Sequence, residues 1–170
     1  LSRGLGDVYK RQVLYGANGV CRITDICQKE FSGVIKDYYI LTPLSNETMT
    51  IFVPVNNKLL TNRIKRILSK EEICDLITTA SSKPINWIID DNERKEHYRT
   101  ILSSSNRLEI LNMIRELYIH KQEQLKNGKK MRLSDEQLMK EAERLLYSEF
   151  SLVLNIRADE VPKFISSRIN

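Results

Sequence analysis

The pattern of the sequence changes near Ser69, and this change is the strongest constraint on the fold. Before it, three short runs rich in β-branched and aromatic residues cover residues 13–23, 37–41 and 48–54, and glycine, asparagine and proline separate them. After it, apolar residues recur every three or four positions, a spacing typical of amphipathic helices. The sequence therefore predicts an α+β chain in which a small SH3-like β module precedes an all-helical bundle.

Turn and capping patterns place the boundary between the two modules. Pro54 cannot donate to a strand ladder, so it should end the last strand. Ser69 and Glu72 have the spacing of a capping box, which begins a helix. We therefore predict a β module over residues 13–68 and a helical module over residues 69–170.

Further boundaries are predicted on either side of this junction. Residues 56–68 are expected to connect the modules without a strand of their own. Asp90 or Asp91 should begin a helix, because a carboxylate favours the amino-terminal end of the helix dipole. Ser134 and Gln137 have the spacing of a second capping box.

The first twelve residues differ from the rest. Residues 1–12 resemble a translated sequencing-adapter read, and we expect them to be a non-native leader that stands in place of the start of the first strand. The chain carries a net charge of +5, of which this leader supplies +2. The total charge is therefore a weak indication of nucleic-acid binding, and its distribution matters more.

Several classes of function find no support in the sequence. No apolar run approaches the roughly 20 residues that span a bilayer, and no secretory signal is visible, so we expect a cytoplasmic protein without a membrane partner. The three cysteines lack the spacing of a disulfide framework or a zinc site. His97 and His120 have no nucleophile or carboxylate pattern beside them. We expect no enzyme, no catalytic residue, no metal and no cofactor.

Positive charge is concentrated in one part of the helical module. Residues 94–132 contain ten lysines and arginines and four acids. Such a stretch can neutralise DNA phosphates, and it can equally be a solvated helix face. Trp87, the only tryptophan, precedes it, after a hinge that we interpret at residues 80–84. This side chain fits either a gap between helices or an exposed wedge that unstacks bases from the minor groove.

The β runs and the helical half together resemble one family. Residues 13–23, the Tyr-Tyr-Ile-Leu run at 38–41 and residues 49–54 resemble the RNA-polymerase-interacting domain that CarD/CdnL-like transcription regulators share with the transcription-repair coupling factor. Trp87, the basic helix and residues 142–150 resemble the C-terminal domain of CarD-type regulators. The chain has no room for the helicase motors of the coupling factor, so the free-standing regulator is the better match.

This resemblance implies a function and a set of DNA-contacting residues. A Tudor-like sheet would pair with the β subunit of RNA polymerase, and the helical domain would stabilise the open promoter complex at the upstream edge of the melted bubble. Trp87 would be the minor-groove wedge, and Arg94, Lys95 and Arg99 would contact phosphates without reading the base sequence. The protein would act as a monomer that associates with the nucleoid through polymerase.

The resemblance also assigns polymerase contacts to the β module. They are Lys29, Tyr39 and Phe52. Lys29 stands at a position where some members carry an arginine. Phe52 stands at another position where some members carry an arginine, and this chain departs from the family pattern there. The sheet edge that docks, the responsive promoters and the choice between activation and repression stay open.

Two other interpretations of the sequence are kept. The first is a protein-interaction module that binds polymerase without contacting DNA. The second is a small SH3-like RNA binder, which would need aromatic and basic residues together on one sheet face. The accessibility of the tryptophan separates the leading interpretation from the first of these.

Overall fold

A computed structural model describes residues 11–169 of the chain. The backbone divides into two compact units, with the boundary between Ile67 and Leu68. The first unit contains an antiparallel sheet and the second is helical. The predicted α+β class, with a Tudor-like β module before a helical region, is confirmed. Most of the predicted leader lies outside the described residues, but Gln12 belongs to the first strand and pairs with Arg22.

The first unit is a sheet whose strands run antiparallel in the order β4-β3-β2-β1-β5. Ser32 and Gly33, both with positive φ, form the two-residue turn of its longest hairpin, as the twist of paired strands favours. Its strands are β1 (Gln12–Tyr15), β2 (Val20–Phe31), β3 (Val34–Pro43), β4 (Ile51–Pro54) and β5 (Ile64–Arg66).

The alternation of side chains gives this sheet two different faces. One face forms the core of the unit, with Tyr39, Leu41 and Val53 almost completely buried. The opposite face carries Tyr38 and Phe52, which adjoin those residues in the sequence. Pairing along β2 and β3 shifts at a bulge between Ile23 and Asp25, and the two strands then continue to the hairpin turn.

Residues 56–68 differ from the predicted connector. Asn57 caps a short helix, α1 (Lys58–Thr61), by accepting the backbone N–H of Leu60 at 3.2 Å. β5 follows and pairs with β1, which makes it an outer strand of the sheet. The prediction of a strandless connector is wrong because three residues carry too little alternation to be recognised, and a partner distant in sequence decides their structure.

The second unit packs its helices around one hydrophobic core. The two longest helices contact each other, the first helix of the unit packs against the last, and its second helix packs on both long ones. Ile73, Tyr98, Leu117 and Phe150 are among the fully buried core residues. The helices are α2 (Lys70–Ser81), α3 (Asp91–Ser104), α4 (Arg107–Lys126), α5 (Leu133–Leu154) and α6 (Val161–Ile169). None of the described helices is long and apolar enough to cross a membrane.

A buried carboxylate fixes the start of the helical unit. Glu149 on α5 is fully buried and accepts hydrogen bonds from Nε and Nη2 of Arg107, at 2.9 and 2.6 Å. It also accepts the backbone N–H of Leu68 at 3.1 Å. A buried charge is tolerated only where it is paired and hydrogen-bonded, and this one joins α4 and α5 to the residue that begins the unit.

Two of the three predicted helix starts are confirmed. Ser69 and Glu72 form the capping box at α2, and Asp90 caps α3 by accepting the N–H of Glu93 at 2.8 Å. The predicted capping box at Ser134 is wrong, because α5 already begins at Leu133. Asp135, the residue after Ser134, makes long-range contacts instead, and a local capping pattern cannot reveal such contacts.

Candidate functional site

Trp87 lies in an irregular segment, residues 82–90, that joins α2 to α3. Its side chain is partly buried and packs against the helical core. The residues before it in this segment are exposed, among them Ile85 and Asn86. The indole is therefore a border side chain that has a packed part and an accessible part.

Two arginines hold this segment near its two ends. Nη1 of Arg115, on α4, donates to the carbonyl oxygens of Ala80 and Lys83 at 2.9 and 2.5 Å. Nη1 of Arg94, on α3, donates to the two carbonyl oxygens of residues 88–89 at 2.9 and 3.3 Å. Backbone acceptors in an irregular segment need such partners, because they lack the ladders of regular structure. The region interpreted as a hinge, residues 80–84, is therefore held by Arg115 from α4, and the backbone that follows Trp87 is held by Arg94 from α3.

Arg94 is a buried cation with a complete set of partners. Its side chain is 2% exposed. Nε and Nη2 donate to the two carboxylate oxygens of Asp135 at 3.0 and 2.9 Å, and Nη2 also donates to Asp91 at 2.7 Å. Burial alone would lower the pKa of Arg94, but the hydrogen bonds to Asp135 and Asp91 outweigh it and raise that pKa. The predicted phosphate contact at Arg94 does not fit this burial. Its guanidinium is instead hydrogen-bonded to carboxylates within the protein.

The ring of Trp87 contacts two nitrogen-bearing side chains. The Cζ atom of Arg94 lies 4.5 Å from the ring centroid, within the range of a cation–π interaction. The imidazole of His120, on α4, stacks on the indole with 3.8 Å between ring centroids and an interplanar angle of 11°. Such stacking adds to the stabilisation from burial alone. Trp87 is therefore held in one orientation by contacts from both α3 and α4.

His120 is only partly accessible, and charges of both signs surround it. Burial lowers the pKa of His120, and the positive charge of Arg94 lowers it further. The carboxylates of Asp135 and Glu123 act in the opposite direction, and the net shift is downward. The imidazole is therefore neutral at neutral pH in the described structure.

A cleft of about 550 Å³ opens beside the indole. Its lining includes four lysine and arginine side chains and two carboxylates, so its net charge is positive. Arg94 and Arg132 are paired with the carboxylates of Asp135 and Asp91. The remaining positive charge comes from Lys129 and Lys130, two exposed residues that precede α5. The lining residues are Trp87, Ile89, Asp91, Arg94, His120, Gln124, Lys129, Lys130, Arg132 and Asp135.

The two other predicted phosphate contacts lie on a different stripe of α3. Lys95 and Arg99 are four residues apart and share one side of that helix. Lys95 is half-buried and Arg99 is exposed. Neither is among the residues that line the cleft beside Trp87. The structure therefore brings Trp87 together with Lys129 and Lys130, and it leaves Lys95 and Arg99 outside the cleft.

An exposed aliphatic side chain stands at the same cleft. Ile89 is 87% exposed, the highest value among the large hydrophobic residues on the described surface, and it lines the cleft with Trp87. Its carbonyl oxygen is held by Arg94. Both isoleucine and aromatic side chains can act as apolar wedges between base steps.

The three predicted polymerase contacts fall on opposite faces of the sheet. Tyr39 is only 7% exposed and lies in the core of the first unit, so its ring is not available to a partner. Lys29 and Phe52 lie on the other face and are exposed. The predicted polymerase contact at Tyr39 stays a prediction that its buried ring does not support, whereas Lys29 and Phe52 share an accessible face.

Aromatic rings surround Phe52 on this outer face. Phe31, Tyr38 and Phe52 contact one another edge to face, with centroid distances of 5.3, 5.4 and 6.2 Å. Phe31 and Phe52 remain 46% and 38% exposed. Lys29 stands directly opposite Lys36 across β2 and β3. We call these five residues the aromatic–lysine face.

Comparison with family models covers both units. A model described as the CarD-like/TRCF RID domain matches residues 11–68. A second, described as the CarD C-terminal domain, matches residues 72–166. The chain belongs to the CarD-like family. A comparison with curated proteins gives no match.

Membership in the CarD-like family defines the general role of the chain. It is an RNA-polymerase-interacting transcription regulator, and the family is one of non-catalytic transcription factors. Within residues 11–169, no three histidine, cysteine, aspartate or glutamate side chains form a group that could hold a metal ion.

Sequence reasoning missed several residues of the Trp87 cleft. His120 and Arg115 contact Trp87 or its segment from a helix that is distant in sequence, and Asp135 pairs with Arg94 from another. Lys129 and Lys130 follow the helix-ending Gly128, where they read as part of an ordinary polar loop. The charge count over residues 94–132 includes these lysines, so concentrated charge was the one pattern that pointed towards them.

Proposed function

We propose that the protein binds the β subunit of RNA polymerase through its first unit and stabilises the open promoter complex through its second. The observation that carries this proposal is the Trp87 cleft. There, a partly accessible indole stands beside two exposed lysines and is held in a fixed orientation. A rigid apolar group beside positive charge is what a minor-groove wedge requires.

Each part of the cleft has its own task. Lys129 and Lys130 attract the phosphate backbone without reading sequence. Trp87 and the neighbouring Ile89 offer apolar surface to a base step at the edge of the bubble. Arg94 has a positioning role in place of the phosphate contact expected from the sequence, because its donors already hold the segment that carries Trp87. Lys95 and Arg99 are free to contact phosphates further along the duplex.

The aromatic–lysine face supports the polymerase contact. Exposed aromatic rings backed by one another present apolar area at low entropic cost, and lysines beside them favour an acidic partner surface. Binding to polymerase raises the effective concentration of the helical unit at the promoter, so a weak DNA contact suffices. Only a contact stronger with the open promoter than with the closed one can shift the equilibrium between them.

The lifetime of open complexes on a promoter tests the DNA part of this proposal. Trp87→Ala should shorten the lifetime that the protein confers by about tenfold, which corresponds to a loss of about 1.4 kcal/mol. Polymerase binding and helical content should stay unchanged, because the indole is not a central core residue. Tyr118→Ala is the matched control, since it removes an aromatic ring that is 56% exposed on α4.

A second function is favoured by the packed part of the indole. Trp87 contacts the helical core, and two side chains contact its ring, as in a structural tryptophan. The protein would then bind polymerase without touching DNA. An unchanged open-complex lifetime in Trp87→Ala, together with normal polymerase binding, would support this second function and exclude the wedge.

A further inference from the structure

His120 stacks on Trp87, and the surroundings of its imidazole set how it responds to protons. Its ring lies 3.8 Å from the indole in a nearly parallel stack. The amide nitrogen of Gln124 lies 3.5 Å from its Nε2 atom. An amide nitrogen donates, so this contact fits a neutral His120 whose Nε2 accepts.

Positively and negatively charged groups from α3, α4, the loop that follows α4, and α5 surround the imidazole of His120. Burial and Arg94 disfavour its protonated form, whereas Asp135 and Glu123 favour it. Two exposed lysines complete the positive side of the cleft. The facing groups are Asp91 and Arg94 from α3, Glu123 and Gln124 from α4, Lys129, Lys130 and Arg132 from the following loop, and Asp135 from α5.

A DNA phosphate in the cleft would change this balance. It would add negative charge beside His120 and would favour the imidazolium form, as any nearby anion does. We propose that His120 positions Trp87 for DNA binding, and that occupation of the cleft by a DNA phosphate is accompanied by protonation of the imidazole. This inference rests on the proposed function and adds a positioning residue and a proton to it.

The intrinsic fluorescence of the chain tests the contact without DNA. Trp87 is the only tryptophan, so its emission reports this site alone. Because an imidazolium quenches a stacked indole, emission should fall as the pH is lowered from about 8 to about 4. The midpoint should lie below that of an ordinary histidine. His120→Phe should abolish the transition, and His97→Phe, which changes the other histidine, should retain it.

Binding to a forked DNA duplex tests the positioning role and the coupled proton. At about pH 9, where the imidazole stays neutral, His120→Phe should bind as the unaltered chain does, because a phenyl ring keeps the stack, whereas His120→Ala should lose about two- to tenfold in affinity. The unaltered chain should bind more tightly as the pH falls, by at most about tenfold per pH unit for one proton. His120→Phe should lack this dependence, and His97→Phe should show it.

The outcomes separate this inference from the proposed function. A fluorescence transition that persists in His120→Phe, or a pH dependence of DNA affinity that persists there, overturns the inference. So does equal DNA affinity of the Ala and Phe variants at about pH 9. If instead Trp87→Ala leaves DNA affinity and open-complex lifetime unchanged, the proposed function fails whatever His120 does. Circular dichroism verifies folding, and His120→Tyr, which also keeps a ring without the imidazole, replaces the Phe variant if that variant does not fold.

Discussion

The Trp87 cleft and the aromatic–lysine face are built in different ways. The cleft is formed by an irregular segment whose backbone is fixed by arginines from two helices, and one of these, Arg94, pairs with the buried carboxylate of Asp135. The face is formed by neighbouring strands, and its rings support each other at the surface. The cleft therefore depends on buried charge, whereas the face depends on sheet register and exposed apolar area.

This difference predicts how each surface responds to mutation. A buried ion pair that loses one partner leaves the other charge uncompensated in the interior, which is strongly destabilising. An exposed ring that is removed leaves little strain behind, since solvent already covers part of it. Loss of a buried charge behind the cleft should therefore appear first in stability, and loss of an exposed ring on the face should appear first in binding.

The largest effect is expected for Asp135→Asn. This change removes the charge that faces Arg94 in the interior and should lower the free energy of unfolding by about 3–5 kcal/mol. Urea unfolding, followed by circular dichroism and by the fluorescence of Trp87, measures the loss. The emission of Trp87 in the folded variant should also change, because Arg94 contacts the indole.

Glu136→Gln is the matched control for this change. It removes a carboxylate from the next residue, whose partner Lys140 is 3.9 Å away at the surface. Such a pair contributes less than about 1 kcal/mol. Equal losses in the two variants would mean that the Arg94–Asp135 pair does not hold the cleft, and the contrast between the two surfaces would disappear.

The two surfaces also differ in how far sequence could predict them. Alternation puts Val53 and Phe52 on opposite faces of their strand, and in the structure Val53 is buried and Phe52 is exposed. The same alternation would have placed Tyr39 in the core, but the family resemblance made it a polymerase contact. Period-two patterns are local, so they assign faces reliably wherever a strand is correctly recognised.

The cleft was predictable only in part. Trp87 and the capping role of Asp90 could be recognised in the sequence, because each is identified from the residues that adjoin it in the chain. The partner of Arg94 lies forty-one positions away, and a single charged residue carries no pattern that names such a partner. A count of charges therefore treated Arg94 as a surface cation, when burial and pairing make it part of the interior.

An intermediate effect is expected for Phe52→Ala. Loss of this ring should weaken polymerase binding by about tenfold, or about 1.4 kcal/mol, because exposed aromatic residues often dominate interfaces. Binding to the isolated β subunit or to the core enzyme measures the change. Unfolding should shift less than it does for Asp135→Asn, since the ring is 38% exposed.

Met49→Ala provides the comparison for Phe52→Ala. Met49 is 44% exposed in the same unit, but it lies outside the aromatic–lysine face. Its loss should leave polymerase binding unchanged. Similar binding by both variants and the unaltered chain would remove the aromatic–lysine face as the docking surface.

The smallest effect on stability is expected for Lys36→Glu, and its sign distinguishes function from folding. Lys29 and Lys36 face each other across β2 and β3, and like charges at this position are destabilising. The change should therefore stabilise the unit by about 0.2–1 kcal/mol while it weakens polymerase binding. Lys65→Glu, on the exposed edge strand β5, makes the same change of charge outside the face. If Lys36→Glu both stabilises the protein and binds polymerase normally, the paired lysines do not serve recognition. If stability rises and binding falls only in Lys36→Glu, the repulsion between them is retained because the partner requires positive charge there.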